Sequence, residues 1–289
     1  GWGGKLGDLF AAANQFQNFT CISASGTAVF LSGQSSVQMQ VGNNGGLAIN
    51  GIGGTTLFGS NAGPTTARRL MTEDRSNLFE KDYNATVKRS ADAAQTLNTA
   101  LAAYPANVAP FNTFPNTGLG NQMRNVARMI AARTALGARR QVFHVSIGGF
   151  DQHSGLVGGH GGRMAELANA MAAFYQATVT LGIADSVTAF TASDFGRTLD
   201  SNGDGSDHGW GAHHFAVGGA VRGGELYGVW PDTVLRGPND VGRGNLLPTT
   251  AVVQYAGTLA TWFGVSAAQM PTVLPNATNF PQLNLGFMV

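Results

Sequence analysis

The sequence predicts an α/β fold with a mostly parallel central sheet flanked by helices, and three observations lead there. Two apolar runs, 141–147 and 186–192, bracket a helical stretch from 163 to 181 in which Met164, Leu167, Met171, Phe174 and Leu181 recur at helical spacing. Near-continuous apolar strands separated by a helix are the pattern of a parallel sheet covered on both faces. Helical stretches also end on glycines, Gly137, Gly182 and Gly264, which suit the left-handed position that closes a helix. Finally, the chemically versatile residues follow the strands, where open α/β sheets bind their ligands.

In chain order, residues 5–16 read as a short helix with Leu6, Leu9 and Phe10 on one side. Residues 20–60 hold short apolar runs (20–24, 28–31, 37–41, 47–50) separated by Ser-Gly, Gly-Gln and Gly-Asn-Asn-Gly-Gly, which predicts a β-rich N-terminal segment, an appendage or edge. From 72 to 104 Leu78, Val87, Ala91, Ala94, Leu97 and Leu101 keep helical spacing until Pro105. Residues 105–118 form a loop and 121–136 a helix. After the strand–helix–strand unit, 215–221 reads as a further strand and 250–263 as a last helix. No composition break divides the chain, so residues 1–289 read as a single domain.

Composition narrows the function classes. Charged residues are 11% of the chain, against about 25% in ordinary soluble domains, and lysine occurs only as Lys5, Lys81 and Lys88. With net charge +1 and no basic run beyond Arg68-Arg69 or Arg139-Arg140, nothing suggests a nucleic-acid partner. No apolar run is long enough for a membrane span. Cys21 is alone, so no intrachain disulfide forms, and beside Ile22 it reads as a small core residue.

Against this background the stretch 200–214 stands out. It carries Asp200, Asp204 and Asp207 with His208, His213 and His214, half of the six histidines. Asp207 and His208 on a glycine-flanked loop can offer one carboxylate oxygen and one imidazole nitrogen to an ion, a donor set that suits zinc, with manganese or iron less decisive. Adjacent residues on an extended chain face opposite ways, so one of His213 and His214 is expected in the site, and His214 directly precedes a strand. Asp151 and His153, at i and i+2 on a strand end, share a side. His160 lies in a glycine-rich stretch and can either reach the ion or serve structure. His144, inside a strand, reads as a satisfied core histidine. Arg197 offers a planar fork to phosphate, sulfate or carboxylate, or pairs internally with Asp194. Asp200, Asn202, Asp204 and Gly205 match the front half of a calcium loop, but Gly211 stands where the bidentate Glu is needed; an Asx-type turn explains the same residues. There is no Gly-x-Ser-x-Gly elbow, P-loop or His-Glu-x-x-His helix.

Four segments, 147–153, 193–198, 205–211 and 214–221, occur in an order that resembles a family of twin-arginine-exported bacterial proteins related to the alkaline phosphatase and sulfatase superfamily. The resemblance implies an alkaline-phosphatase-like sandwich. It also implies a metal site with Asp207 and His208 as paired ligands, His214 as the late histidine and Asp151 with His153 as the middle group. Zinc is the expected ion, with calcium or manganese as alternatives, and Arg197 would act as an anion clamp. The resemblance further implies a periplasmic or extracellular location and a small anionic ester or glycan as substrate. The superfamily's first metal-binding Asp and its nucleophile have no counterpart here, so the N-terminal strand and nucleophile segment are expected to be missing, with assembly either with itself or with that segment. Two functions follow as expectations: a metal-dependent hydrolase of phosphate or sulfate esters, or a non-catalytic extracellular protein that keeps the fold. A calcium-stabilised binding module is a third.

Overall fold

The computed structural model describes residues 1–289. The chain forms two compact units, one of residues 3–112 and 124–145 with Gly1, the other of residues 113–123 and 146–289 with Trp2. It is an α/β protein, and no helix is long and apolar enough to cross a membrane.

The first unit contains α1 (Trp2–Phe10), β1 (Cys21–Ser23), β2 (Met39–Gly42), β3 (Gly45–Gly46), α2 (Gly63–Thr72), α3 (Leu78–Leu101), most of α4 (Gly118–Ala131) and β4 (Val142–His144). The strands form one sheet in the order β3-β2-β1-β4, with β1 parallel to both β2 and β4 and only the short β3 antiparallel. The 20–60 segment, expected as a β-rich appendage or edge, supplies one edge of this sheet through β3 and also two of its inner strands, β1 and β2. It contributes strands of only three, four and two residues, but β1 lies inside the sheet and is buried throughout. Serine- and glycine-rich connections keep the strands short, and of the three only β3 lies at the rim.

α3 starts where Asn77 caps it, its side-chain oxygen accepting from Phe79 N–H (2.9 Å) and Glu80 N–H (3.3 Å). Leu97 and Leu101 on its inner face are buried with Phe19, Ile22, Leu31, Met129 and Leu136. Arg128 is also buried, and its guanidinium donates to the carbonyls of Tyr104, Asn44 and Leu101 at 2.6, 3.1 and 3.3 Å. It thereby ties the end of α3 to the β2–β3 turn. Cys21 is buried and its thiol is pushed up to about 11 by burial and by the charge of Asp8, which makes it a core residue rather than a nucleophile.

The second unit contains α5 (Leu156–Thr180), β5 (Thr188–Phe190), β6 (Gly196–Ser201), β7 (Ser206–Gly209), β8 (Ala216–Gly218), α6 (Val252–Phe263) and α7 (Met270–Val273). Its core gathers Ala220, Leu259, Phe287 and Met288, with Phe190, Tyr255 and Trp262 packed on them. Gly264 closes α6 in the left-handed conformation, as its position predicts.

The strand–helix–strand unit does not close as expected. β4 belongs to the four-stranded sheet, whereas β5 pairs antiparallel with β8 in a sheet of two. An apolar run marks a strand as buried but does not name its partner, and a nearby antiparallel strand supplies one. α5 also begins seven residues before the predicted 163, so the glycine-rich stretch around His160 is helical rather than a flexible loop. Packing and capping outweigh the low helix propensity of its glycines.

Candidate metal centre

All the residues that converge belong to the second unit, on two pieces of chain. The first is the segment entering α5. The second is the β6–β7 hairpin, paired Gly196 to Gly209 and Arg197 to His208, with an irregularity before Ser201 pairs with Ser206. The hairpin can close because both ends are glycine: a Cβ on Gly196 would lie 1.8 Å from the Gly211 carbonyl oxygen.

The 200–205 stretch is the hairpin's turn. Asn202 Oδ1 accepts from Gly205 N–H (2.9 Å), and Asn202 N–H donates to the Gly205 carbonyl (3.1 Å), an Asx-type turn. Asp204 does a different job. Its carboxylate accepts from Gly155 N–H (2.9 Å) and its carbonyl from Leu156 N–H (3.2 Å), so it caps the start of α5. Gly205 then lies against the backbone of Gln152 and His153, where a Cβ would come within 2.3 Å of the Gln152 carbonyl oxygen. These contacts seat the hairpin on the segment that carries Asp151 and His153. His160, one turn into α5, holds that segment from behind through Gln152 Oε1 (3.0 Å) and packs edge-on against Phe150.

The resulting group is tight. Asp151 Oδ1 lies 2.7 Å from His208 Nε2 and 2.9 Å from His153 Nε2, and the two Nε2 atoms are 3.2 Å apart. Asp151, His153 and His208 are the three residues whose donor atoms meet closely enough to hold one ion, and all three are exposed. Phe195 stacks on the His208 ring at 3.9 Å and 4°. The Asp151 carboxyl is held below its ordinary value, first by the hydrogen bond from His208 and further by His153 and Arg197, against a smaller opposing effect of burial.

Three expected site residues play other parts. Asp207 does not join His208 as a donor. β7 is an extended strand, so successive side chains diverge, and Asp207 Oδ1 faces the other ring nitrogen of His153, Nδ1, at 3.3 Å. Asn202 Nδ2 donates to the same oxygen (3.2 Å) and Arg243 Nη2 to Oδ2 (2.8 Å). Those neighbours, Asn202 first, hold the Asp207 carboxyl below its ordinary value. His214 is outside the group as well. Its Nδ1 meets Thr191 Oγ1 at 3.3 Å and its ring stacks on Tyr255, while burial, with His213 beside it, lowers its pKa. His213 stacks on Trp230 at 4.6 Å.

Arg197 is not free to clamp an anion. Its Nε donates to Ser206 Oγ (3.1 Å), its Nη2 to the Ser206 carbonyl and its Nη1 to Asp151 (3.3 Å), and its side chain is 20% exposed. It pairs with Asp151 rather than Asp194. His144, in the first unit, meets Ser25 Oγ through Nδ1 at 2.8 Å, a satisfied histidine.

Sequence reasoning missed Arg243 and Phe195. The available signal for Arg243 was Asp-Val-Gly-Arg-Gly-Asn at 240–245, an arginine between two glycines in a charge-poor chain. Phe195 left none, since its ring serves the site only through the pairing of β6 with β7.

Residues 5–249 match the family described as a protein of unknown function, DUF1501. The chain belongs to the DUF1501 family. No curated protein and no solved structure matches it.

Proposed function

We propose that this DUF1501 protein binds a divalent metal ion, zinc in the first instance, through Asp151, His153 and His208, and acts as an exported hydrolase of phosphate or sulfate esters. One observation carries the reading: an oxygen and two nitrogens converge with separations of 2.7, 2.9 and 3.2 Å. Donors bound at about 2.0–2.1 Å around a tetrahedral ion stand about 3.3 Å apart, so this triangle needs only slight opening to fit one. Two histidines and a carboxylate with an open side are the ligand pattern of catalytic rather than structural zinc sites. The same donors suit Fe(II) or Mn(II), and metal analysis names the ion.

A bound ion there would polarise an ester oxygen and lower the pKa of a coordinated water. The chain's own residues prepare the place. Phe195 covers one face of His208, Asp207 fixes His153, and Arg197 ties Asp151 to the hairpin. An alkaline-phosphatase-like sandwich and export by the twin-arginine route complete the reading, on the resemblance of the 147–153, 193–198, 205–211 and 214–221 segments.

The second reading is a metal-stabilised extracellular protein without catalysis. It is favoured by the hydroxyls of the hairpin, because Ser206 Oγ is engaged by Arg197, and Thr198 Oγ1 by the backbone of Asp207 and Asp200. Hydrolysis of aryl phosphates and aryl sulfates by the zinc-loaded protein, against His208→Ala, separates the two. Turnover lost in the variant supports the hydrolase; zinc bound without turnover supports the second reading.

A further inference from the structure

Arg243 sits on a loop built to present it. The Asp240 carboxylate gathers the loop by accepting from the N–H groups of Arg236 (2.7 Å), Gly242 (2.8 Å) and Gly244 (3.0 Å). The loop is laid against the hairpin: Leu199 N–H donates to the Gly244 carbonyl (2.9 Å), and Trp210 N–H donates to Asn245 Oδ1 (3.0 Å). Between its glycines Arg243 takes φ +59°, a left-handed conformation that side chains other than glycine and asparagine seldom adopt. Strain of this kind persists where surroundings enforce it and collects at functional sites. The side chain is 67% exposed, so it is not there to fill a core. Its guanidinium donates to Asp207 Oδ2, at 2.8 Å.

Resting on the metal reading above, we propose that Arg243 is a positioning residue that, through Asp207, holds His153 by its Nδ1 so that Nε2 faces Asp151 and His208 and becomes the donor when an ion takes the place of the proton between them, and thereby sets the affinity for the ion. The geometry runs in one line. Arg243 holds one oxygen of Asp207, Asn202 steadies the other, and that second oxygen faces His153 Nδ1. In the metal-free chain Nε2 itself shares a proton with Asp151, at 2.9 Å; once an ion displaces that proton, the carboxylate opposite Nδ1 keeps a hydrogen there and leaves Nε2 as the donor to the metal. Outer partners of this kind are worth about 10–100-fold in metal affinity.

The test is zinc affinity by competition with a chelating dye, for the wild-type chain and for Arg243→Gly, Arg243→Lys, Asp207→Ala and His208→Ala, with thermal melts of each metal-free chain. Arg243→Gly is the informative variant because glycine suits the left-handed backbone: the metal-free chain melts no lower than wild type while zinc binding weakens about 10-fold or more. Arg243→Lys restores part of the affinity, and Asp207→Ala weakens binding at least as much as Arg243→Gly. Long-range nitrogen–proton NMR of the zinc-loaded chain shows the His153 hydrogen on Nδ1 with Nε2 bound to the metal, and that hydrogen exchanges faster with water in Arg243→Gly. If Arg243→Gly binds zinc within twofold of wild type while His208→Ala does not bind it, the positioning role is overturned and the metal site stands. If His208→Ala also binds zinc like wild type, the metal reading fails and the inference with it.

Discussion

Two carboxylates, Asp8 in the first unit and Asp151 in the second, are both held below their ordinary pKa by what surrounds them, and they do opposite things. Asp8 accepts from three consecutive backbone N–H groups, those of Gln34, Ser35 and Ser36, at 2.7–3.0 Å, and from the Ser35 hydroxyl. Burial works to raise it, but those donors outweigh burial. Its partners are mostly main chain and cannot leave without unfolding the 34–36 turn, so Asp8 is a structural brace. Asp151 accepts only from side chains, two histidines and an arginine, and stands open to water. On the proposed reading, its two histidine partners trade a shared proton for a shared cation. A depressed carboxylate therefore marks a function only when its partners are themselves free to bind something else.

That contrast can be broken in several places. The largest effect is expected in the first unit's core. Leu97→Ala, at a fully buried position of α3, costs about 2–5 kcal/mol. Denaturant melts read the loss, and the zinc stoichiometry of the folded fraction stays unchanged; a lost stoichiometry would show that the units do not separate structure from chemistry in this way.

Gly205→Ala attacks the second unit's assembly. The new methyl meets the Gln152 carbonyl oxygen at 2.3 Å, so the hairpin must back away from the Asp151–His153 segment. The expected cost is about 1–3 kcal/mol, with a fall in zinc affinity larger than that of an alanine at an exposed residue outside the site. Wild-type affinity in this variant would mean that the hairpin's seat does not define the site.

Asp8 predicts a pH effect of definite sign. Its folded-state pKa is depressed, so its contribution is fully present above about pH 4 and is lost as pH falls through the unfolded and toward the folded value. Asp8→Asn should cost roughly 1–3 kcal/mol at pH 7, discounted for solvent screening, and about a third less near pH 3, which still lies well above the folded value. The gap between the melting temperatures of the two proteins should be constant from pH 7 to about 5 and narrow steadily as pH falls from 4 to 2; a gap that does not change with pH would refute the brace. Smallest is Asp204→Ala, which removes a cap from α5 at about 1 kcal/mol and should leave zinc affinity within a few-fold.

What could be read from the sequence follows the range of the forces involved. α6 and its glycine stop were legible because capping and apolar spacing are local, and so were the strand positions around Val142, Thr188 and Ala216. α2 was missed because its ten residues carry few apolar side chains to mark a face. The partner of β5 was misjudged because pairing is decided by chain far from the strand itself. At the site, His208 was singled out by the density of the 200–214 stretch, and Asp151 with His153 by their i, i+2 spacing at a strand end. The part played by Asp207 was not, because it depends on whether 206–209 is loop or strand: an extended backbone separates Asp207 from His208 and sets them on the two nitrogens of one imidazole. Arg243 lies 36 residues from the carboxylate it holds, a distance no spacing rule spans.

The central claim is that Asp151, His153 and His208 hold one ion. Its most direct test is zinc titration of the purified metal-free chain, followed by thermal melting and elemental analysis, beside the triple variant Asp151→Ala, His153→Ala, His208→Ala. The account predicts one zinc per wild-type chain and, at a hundredfold excess over Kd, a stabilisation of about 2.7 kcal/mol, or roughly 5–10 °C in melting temperature, with neither in the variant. A wild-type chain that retains no zinc and melts at the same temperature with and without it, or a triple variant that binds as well as wild type, would contradict the claim.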